Sequence, residues 1–206
     1  MAEKFRDNSN VMGYGLLNEP WNANMYKDSS LVLDTKKFDR EKLTPLYKKV
    51  SEAIREVDST HTVLFEPGLF PNKLPLMGGI LSDYGFEDKP DSQGILDDHT
   101  YCVMMDPDVN VIPGSIVESR TPECRVFHRR NVEHSKAQAT RLGTTVLFSE
   151  FGACTENKSC YDEITNSCDA FDKYAVSWTY WMFKGFGDHT THCGIMEGFY
   201  NLDGEL

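Results

Sequence analysis

Thr-Val-Leu-Phe-Ser-Glu-Phe-Gly (residues 145–152) is the stretch that decides the fold class. A short apolar run, Val146-Leu147-Phe148, leads to a carboxylate, Glu150, and the segment closes on a glycine. Gly-Tyr-Gly-Leu-Leu-Asn-Glu-Pro-Trp (13–21) repeats the plan, with Glu19 at the end of its run and Pro20 directly after it. Parallel α/β barrels place their chemistry on side chains at the carboxyl-terminal tips of buried strands. Two facing carboxylates are the minimum equipment for breaking a glycosidic bond.

Working outward, apolar strands alternate with amphipathic helices, the pattern of a parallel sheet wrapped by helices. Val11 to Leu17 reads as a strand, followed by a polar loop over 21–40. Leu43, Leu46, Tyr47, Val50, Ile54 and Val57 recur at helical spacing, with Thr44-Pro45 as cap and first turn. Thr62 to Phe65 is a second strand closed by Glu66-Pro67-Gly68, and a long loop covers 67–95. Ile95 and Leu96 lead through Asp-Asp-His-Thr-Tyr-Cys (97–102) as a third strand; 103–122 is irregular. A helix over Arg125 to Leu142 stops at Gly143, a residue suited to a helix C-terminus. After the strand that ends at Glu150 come a cysteine-rich loop, a helix near 163–175 and an aromatic fifth strand, Val176 to Phe183.

The bulk numbers narrow the class. The chain has 206 residues, 40% hydrophobic and 26% charged, so it is globular rather than disordered. A net charge of -11 argues against nucleic acid or an anionic membrane surface as the main partner. No apolar run is long enough to span a bilayer, so stable membrane insertion is not expected. The cysteines (Cys102, Cys124, Cys154, Cys160, Cys168 and Cys193) show no C-x-x-C spacing, which argues against a zinc or redox motif. Their even number suits disulfides in a secreted or lysosomal protein, and Cys154, Cys160 and Cys168 are close enough in sequence to pair locally. The charged start, Met-Ala-Glu-Lys-Phe-Arg-Asp, has no apolar h-region and so no visible signal peptide. The two readings agree if Met1 is an internal methionine.

Five strands do not close an eight-stranded barrel, which takes about 250 residues. The expectation is therefore an α/β chain forming the C-terminal part, strands four to eight, of a TIM barrel without its first three βα units. Residues 1–206 would be a partial catalytic domain that requires the missing N-terminal half.

The combination Gly-Tyr-x-Leu-x-Asn-Glu-Pro-Trp resembles the acid/base strand of glycoside hydrolase family 5. Leu-Phe-Ser-Glu-Phe-Gly-Ala resembles that family's nucleophile strand, His99-Thr-Tyr101 its His-x-Tyr on strand six, and Trp178-Thr-Tyr-Trp181 the aromatic end of strand eight. Within the family the wording is nearest to the endoglycoceramidases. The resemblance implies that Glu19 is the general acid/base and Glu150 the nucleophile. Asn18 would bind the sugar 2-hydroxyl, Tyr101 would orient Glu150, His99 would contact the site, and Trp181 would floor the sugar subsite. No metal and no cofactor are implied, since two carboxylates and water suffice. The implied partner is a glycosphingolipid or an oligosaccharide. Leu69, Phe70, Leu74, Leu76, Met77, Val109, Val111 and Ile112 are candidates for a lipid channel.

Other residues read more plainly. Glu66 is a rim or substrate-contacting residue at best. Trp178 belongs to the core and Trp181 to the site, or the two exchange these roles, and His128, Arg129, Arg130 and His134 belong to the exposed side of a helix. Asp188, His189 and His192 are a loop after the last strand. Two enzyme readings compete, a glycosphingolipid hydrolase and a hydrolase of β-glucan or steryl glucoside. Two others stand against both: a truncated carbohydrate- or lipid-binding fragment without a working site, and a chain that does not fold alone.

Overall fold

The computed structural model describes residues 1–34, 36–69, 82–102, 121–152 and 158–181. Five strands occur in chain order: β1 (Gly13–Gly15), β2 (Thr62–Phe65), β3 (Gly94–Thr100), β4 (Val146–Phe151) and β5 (Ser177–Trp178). They form one five-stranded sheet in sequential order, β1-β2-β3-β4-β5. The β1–β2, β2–β3 and β4–β5 pairs are parallel, with Tyr14 opposite Val63, Leu64 opposite Ile95, and Phe148 opposite Trp178. The Leu96 N–H donates to the Thr145 carbonyl at the entry to β4. The α-helices are α1 (Ala2–Phe5), α2 (Ser30–Leu33), α3 (Thr44–Arg55), α4 (Thr121–Arg141) and α5 (Lys158–Tyr174).

The expected order of strands and long helices is present, with shifted bounds. β1 and β5 are shorter than their apolar runs, and α4 starts four residues before Arg125. The polar stretch 21–40 contains the single-turn α2. Thr44 does not cap α3. Its hydroxyl donates to the Asp39 carbonyl, and the helix is entered through a wide π-type turn over Asp39–Leu43. Gly143, at φ 65, ends α4 as expected. Its N–H reaches Thr140 O and the Thr144 N–H reaches Ala139 O, which satisfies carbonyls the last turn would otherwise leave open.

The chain divides into two compact units. Unit 1 comprises Met1–Asp97 and Ala137–Val146; unit 2 comprises Asp98–Lys136 and Leu147–Leu206. In unit 1, Tyr47 from α3, Phe65 from β2 and Phe86 form a fully buried aromatic triad, the Phe65 and Phe86 rings meeting edge-to-face at 5.3 Å. Buried Asp39 receives the Gly68 and Gly85 N–H groups on its two carboxylate oxygens, each at 2.8 Å. Arg141 donates to the carbonyls of Tyr84 and Phe86.

A second polar cluster in unit 1 is built on Asp58. It accepts hydrogen bonds from the Tyr14 hydroxyl at 2.7 Å, from His61 Nδ1 at 2.6 Å and from the Thr60 and His61 N–H groups. Burial opposes ionisation of Asp58, but these donors prevail and hold its carboxyl below the usual carboxylate range. The Asn8 carbonyl at His61 Nε2, and then Asp58, raise the His61 imidazole above its ordinary value against the effect of burial. Burial, followed by the bond to Asp58, pushes Tyr14 up to about 12.

In unit 2, Phe148 and Phe151 from β4 pack on Phe171 of α5, with Trp178 and Tyr180 against Phe151. Trp178 is not a core residue. It stacks on Phe171 but keeps 43% of its surface exposed. A disulfide joins Cys102, just past β3, to Cys124 in the first turn of α4. Closing a loop of this length contributes about 3 kcal/mol through the unfolded state. Cys168 lies within α5 with a free thiol, so it takes no part in local pairing. Cys154 and Cys193 lie outside the described residues, as does the side chain of Cys160.

Candidate active site

In unit 1 the chain leaves β1 and reaches Glu19 in a left-handed backbone conformation, φ 42. For a residue with a β-carbon this geometry costs of order 1 kcal/mol and persists only where its surroundings enforce it. The enforcing group is Glu66, at the end of β2. Its Oε2 accepts the Glu19 N–H at 3.0 Å. Glu66 is 5% exposed, and its own carbonyl accepts the Tyr47 hydroxyl at 2.9 Å. The rim role expected for Glu66 is thus replaced by a buried one that holds the Glu19 backbone. Burial, and then the negative charges of Glu66 and Asp39, push the Tyr47 phenol far up, so it remains a donor.

The residues flanking Glu19 differ in exposure. Asn18 is exposed, Glu19 half-buried and Pro20 buried; the Pro20 carbonyl accepts the Leu69 N–H. Trp21 is exposed, whereas Asn22 is fully buried and donates to the Leu31 carbonyl at 2.9 Å.

In unit 2, Glu150 lies near the carboxyl end of β4, half-buried. Its Oε2 accepts the Tyr101 hydroxyl at 2.8 Å, and His99 Nδ1 lies 3.5 Å from the same oxygen. His99 is buried, and its Nε2 lies 3.0 Å from Ser149 Oγ. The strand carrying His99 is clamped to α4: Asn131 donates to the His99 carbonyl, and Ser135 donates to Asp98. His99, Tyr101, Ser149 and Glu150 are therefore one connected polar group. Ser149 and Asn131 gave no signal in the sequence, because a serine in a strand and an asparagine in a helix announce nothing by themselves.

Gly152 follows at φ 113, and a β-carbon there would lie 2.5 Å from the Tyr180 ring. Only glycine lets the chain pass this point, where residue 152 pairs with Trp181 and the Trp181 N–H reaches the Phe151 carbonyl. Trp181 is half-buried. Of the proposed channel residues only Leu69 is described. Phe70, Leu74, Leu76, Met77, Val109, Val111 and Ile112 lie outside the described residues, as do Asp188, His189 and His192.

The cellulase family, glycosyl hydrolase family 5, matches residues 1–187. The chain belongs to this family. Among its relatives is an endoglycoceramidase of Cyanea nozakii, 25% identical over 203 residues, covering 95% of this chain and 34% of the relative. An endoglycoceramidase of Hydra vulgaris is 26% identical over 195 residues, covering 90% of this chain and 31% of the relative. In fold the chain resembles endo-glycoceramidase II from Rhodococcus sp., solved as a complex with ganglioside GM3. The TM-score is 0.71 at 21% identity, covering 98% of this chain and 40% of that one. The family 5 chain thus spans about a third of the length of the curated relatives it matches.

Proposed function

We propose that the chain carries the two catalytic carboxylates of a retaining β-glycosidase that hydrolyses the bond between a glycan and ceramide in glycosphingolipids. The observation that carries the reading is the grip of Tyr101 and His99 on one oxygen of Glu150, at the end of a parallel strand. That grip occupies Oε2, so Oε1 would be the oxygen that attacks. The sequential five-stranded sheet supports assignment to strands four to eight of the barrel, within a single catalytic domain.

In the first step Glu150 Oε1 forms a bond to the anomeric carbon. The glycosidic C–O bond breaks, and the Glu19 carboxyl gives its proton to the departing ceramide oxygen. In the second step Glu19, now ionised, takes a proton from water. The water oxygen bonds to the anomeric carbon, and the ester to Glu150 breaks with inversion a second time, for net retention. This course requires the two carboxyls roughly 5 Å apart. Asn18 donates to the sugar 2-hydroxyl, and the apolar face of the sugar packs on Trp181. The Cys102–Cys124 bridge supports a secreted or lysosomal location.

The test is hydrolysis of a fluorescent-lipid-labelled glycosphingolipid beside a soluble aryl β-glycoside. It compares an upstream-extended protein with the 206-residue chain, each with a Glu150→Gln control. Turnover of the lipid alone, lost in the variant, supports the reading. Turnover of the soluble glycoside alone keeps the glycosidase and removes the lipid specificity. Folded proteins inert on both substrates overturn it.

A further inference from the structure

Unit 2 buries a second group of reactive side chains, built around the disulfide. His128 and Glu163, from α4 and α5, are both fully buried; the expectation that His128 faces solvent does not hold. His128 Nδ1 lies 2.8 Å from Thr100 Oγ1, and Nε2 lies 2.7 Å from Glu163 Oε1. Glu163 Oε1 also accepts the Cys102 N–H at 3.0 Å. Despite this closeness, neither His128 Nε2 nor Glu163 Oε2 has a hydrogen-bond partner among the described residues. Buried polar atoms are rarely left in this state, and a bound ion is one way of satisfying them. A Cys102 sulfur, a His128 ring nitrogen and a Glu163 carboxylate oxygen all lie within 4.8 Å of one another. Cys124, bonded to Cys102, is four residues from His128, on the same face of α4.

We propose that reduction of Cys102–Cys124 converts this group into a closed four-ligand site for Zn²⁺, made of two cysteine thiolates, His128 and Glu163. Two sulfurs, one imidazole and one carboxylate suit a tetrahedral borderline-soft cation. Thr100 supplies the supporting contact, because a bond to Nδ1 fixes the ring and turns the Nε2 lone pair toward the site. The reductant is a dithiol. It gives two electrons and two protons, the S–S bond breaks, two S–H bonds form, and the dithiol becomes a disulfide. Zinc then displaces both thiol protons to solvent as two Zn–S bonds form. The metal would replace the disulfide as the link between the end of β3 and the start of α4, so the same two segments stay tied in either redox state.

The test is an anaerobic titration of the 206-residue chain with cobalt(II) chloride. The chain is first reduced with dithiothreitol and desalted, and the oxidised chain is run in parallel. The expected result is the visible absorption of tetrahedral, thiolate-bound cobalt at one equivalent, in the reduced chain only, removed by adding zinc chloride. His128→Asn and Glu163→Gln should each weaken binding at least tenfold, and Thr100→Val about tenfold. Cys168→Ser should change nothing. The wild-type chain alone can overturn the proposal, by showing no thiolate–cobalt absorption after reduction or the same absorption before it. Absorption that survives Cys102→Ser with Cys124→Ser overturns it equally.

Discussion

Glu19 follows strand β1 and Glu150 lies near the end of β4, and the chain holds the two at different points. Glu19 is held through its main chain, in a left-handed conformation, by the buried carboxylate of Glu66. Glu150 is held through its own carboxylate, by the phenol of Tyr101 and the ring of His99. The difference matches the proposed chemistry. A group that must gain and lose a proton in every cycle is best fixed by its backbone, because that anchor works in both charge states. A group that attacks as an anion is best fixed at the atom that does not attack.

This contrast can be broken in several ways, which differ in expected size. In the upstream-extended protein, Glu150→Gln should reduce turnover to background, read as release of fluorescent lipid. Glu66→Ala should lower kcat about 100-fold, the effect of misplacing a catalytic group by about 1 Å. Glu66→Gln should recover most of that loss, because the amide oxygen still accepts the Glu19 N–H; equal losses in both variants would assign Glu66 another role. Tyr101→Phe should cost about tenfold in kcat, the scale of one hydrogen bond to a charged group, with KM little changed.

The smallest effect concerns stability and the Asp58 cluster of unit 1. The Asp58 pKa is depressed in the fold, so its contribution is complete above the ordinary carboxylate value of 3.8 and is lost as pH falls below it. The His61 pKa is raised, so its contribution is complete below 6.5 and is lost as pH rises above that value. Melting temperature measured against pH should therefore fall on both sides of this window. Asp58→Asn should flatten the acid side, and His61→Asn the alkaline side.

The order of strands and helices was legible because it rests on local periodicity. The pairing of Tyr101 with Glu150 was legible because each residue sits in a recognisable string. What stayed hidden depends on partners distant in sequence. Glu66 ends its strand much as Glu150 does, and only the approach of the Glu19 N–H, 47 positions away, separates an inward anchor from a rim residue. The buried face of α4 runs through Cys124, His128, Asn131, Val132, Ser135, Gln138 and Ala139. The spacing is helical, but most of the residues are polar, so a search for apolar periodicity places His128 on the wrong side. Trp178 was misplaced for a related reason. Strand alternation gives the side of the sheet a residue faces, but not whether anything covers that side.

The bridge between Cys102 and Cys124 has a practical consequence. It fixes the two attachment points of the intervening segment with their α-carbons 5.4 Å apart, whatever sequence lies between them. For protein engineering, the two bridged cysteines are therefore a standard socket for the sequence between β3 and α4. Sequences of other lengths and compositions can be joined at these two points while the strand that presents Tyr101 to Glu150 keeps its footing.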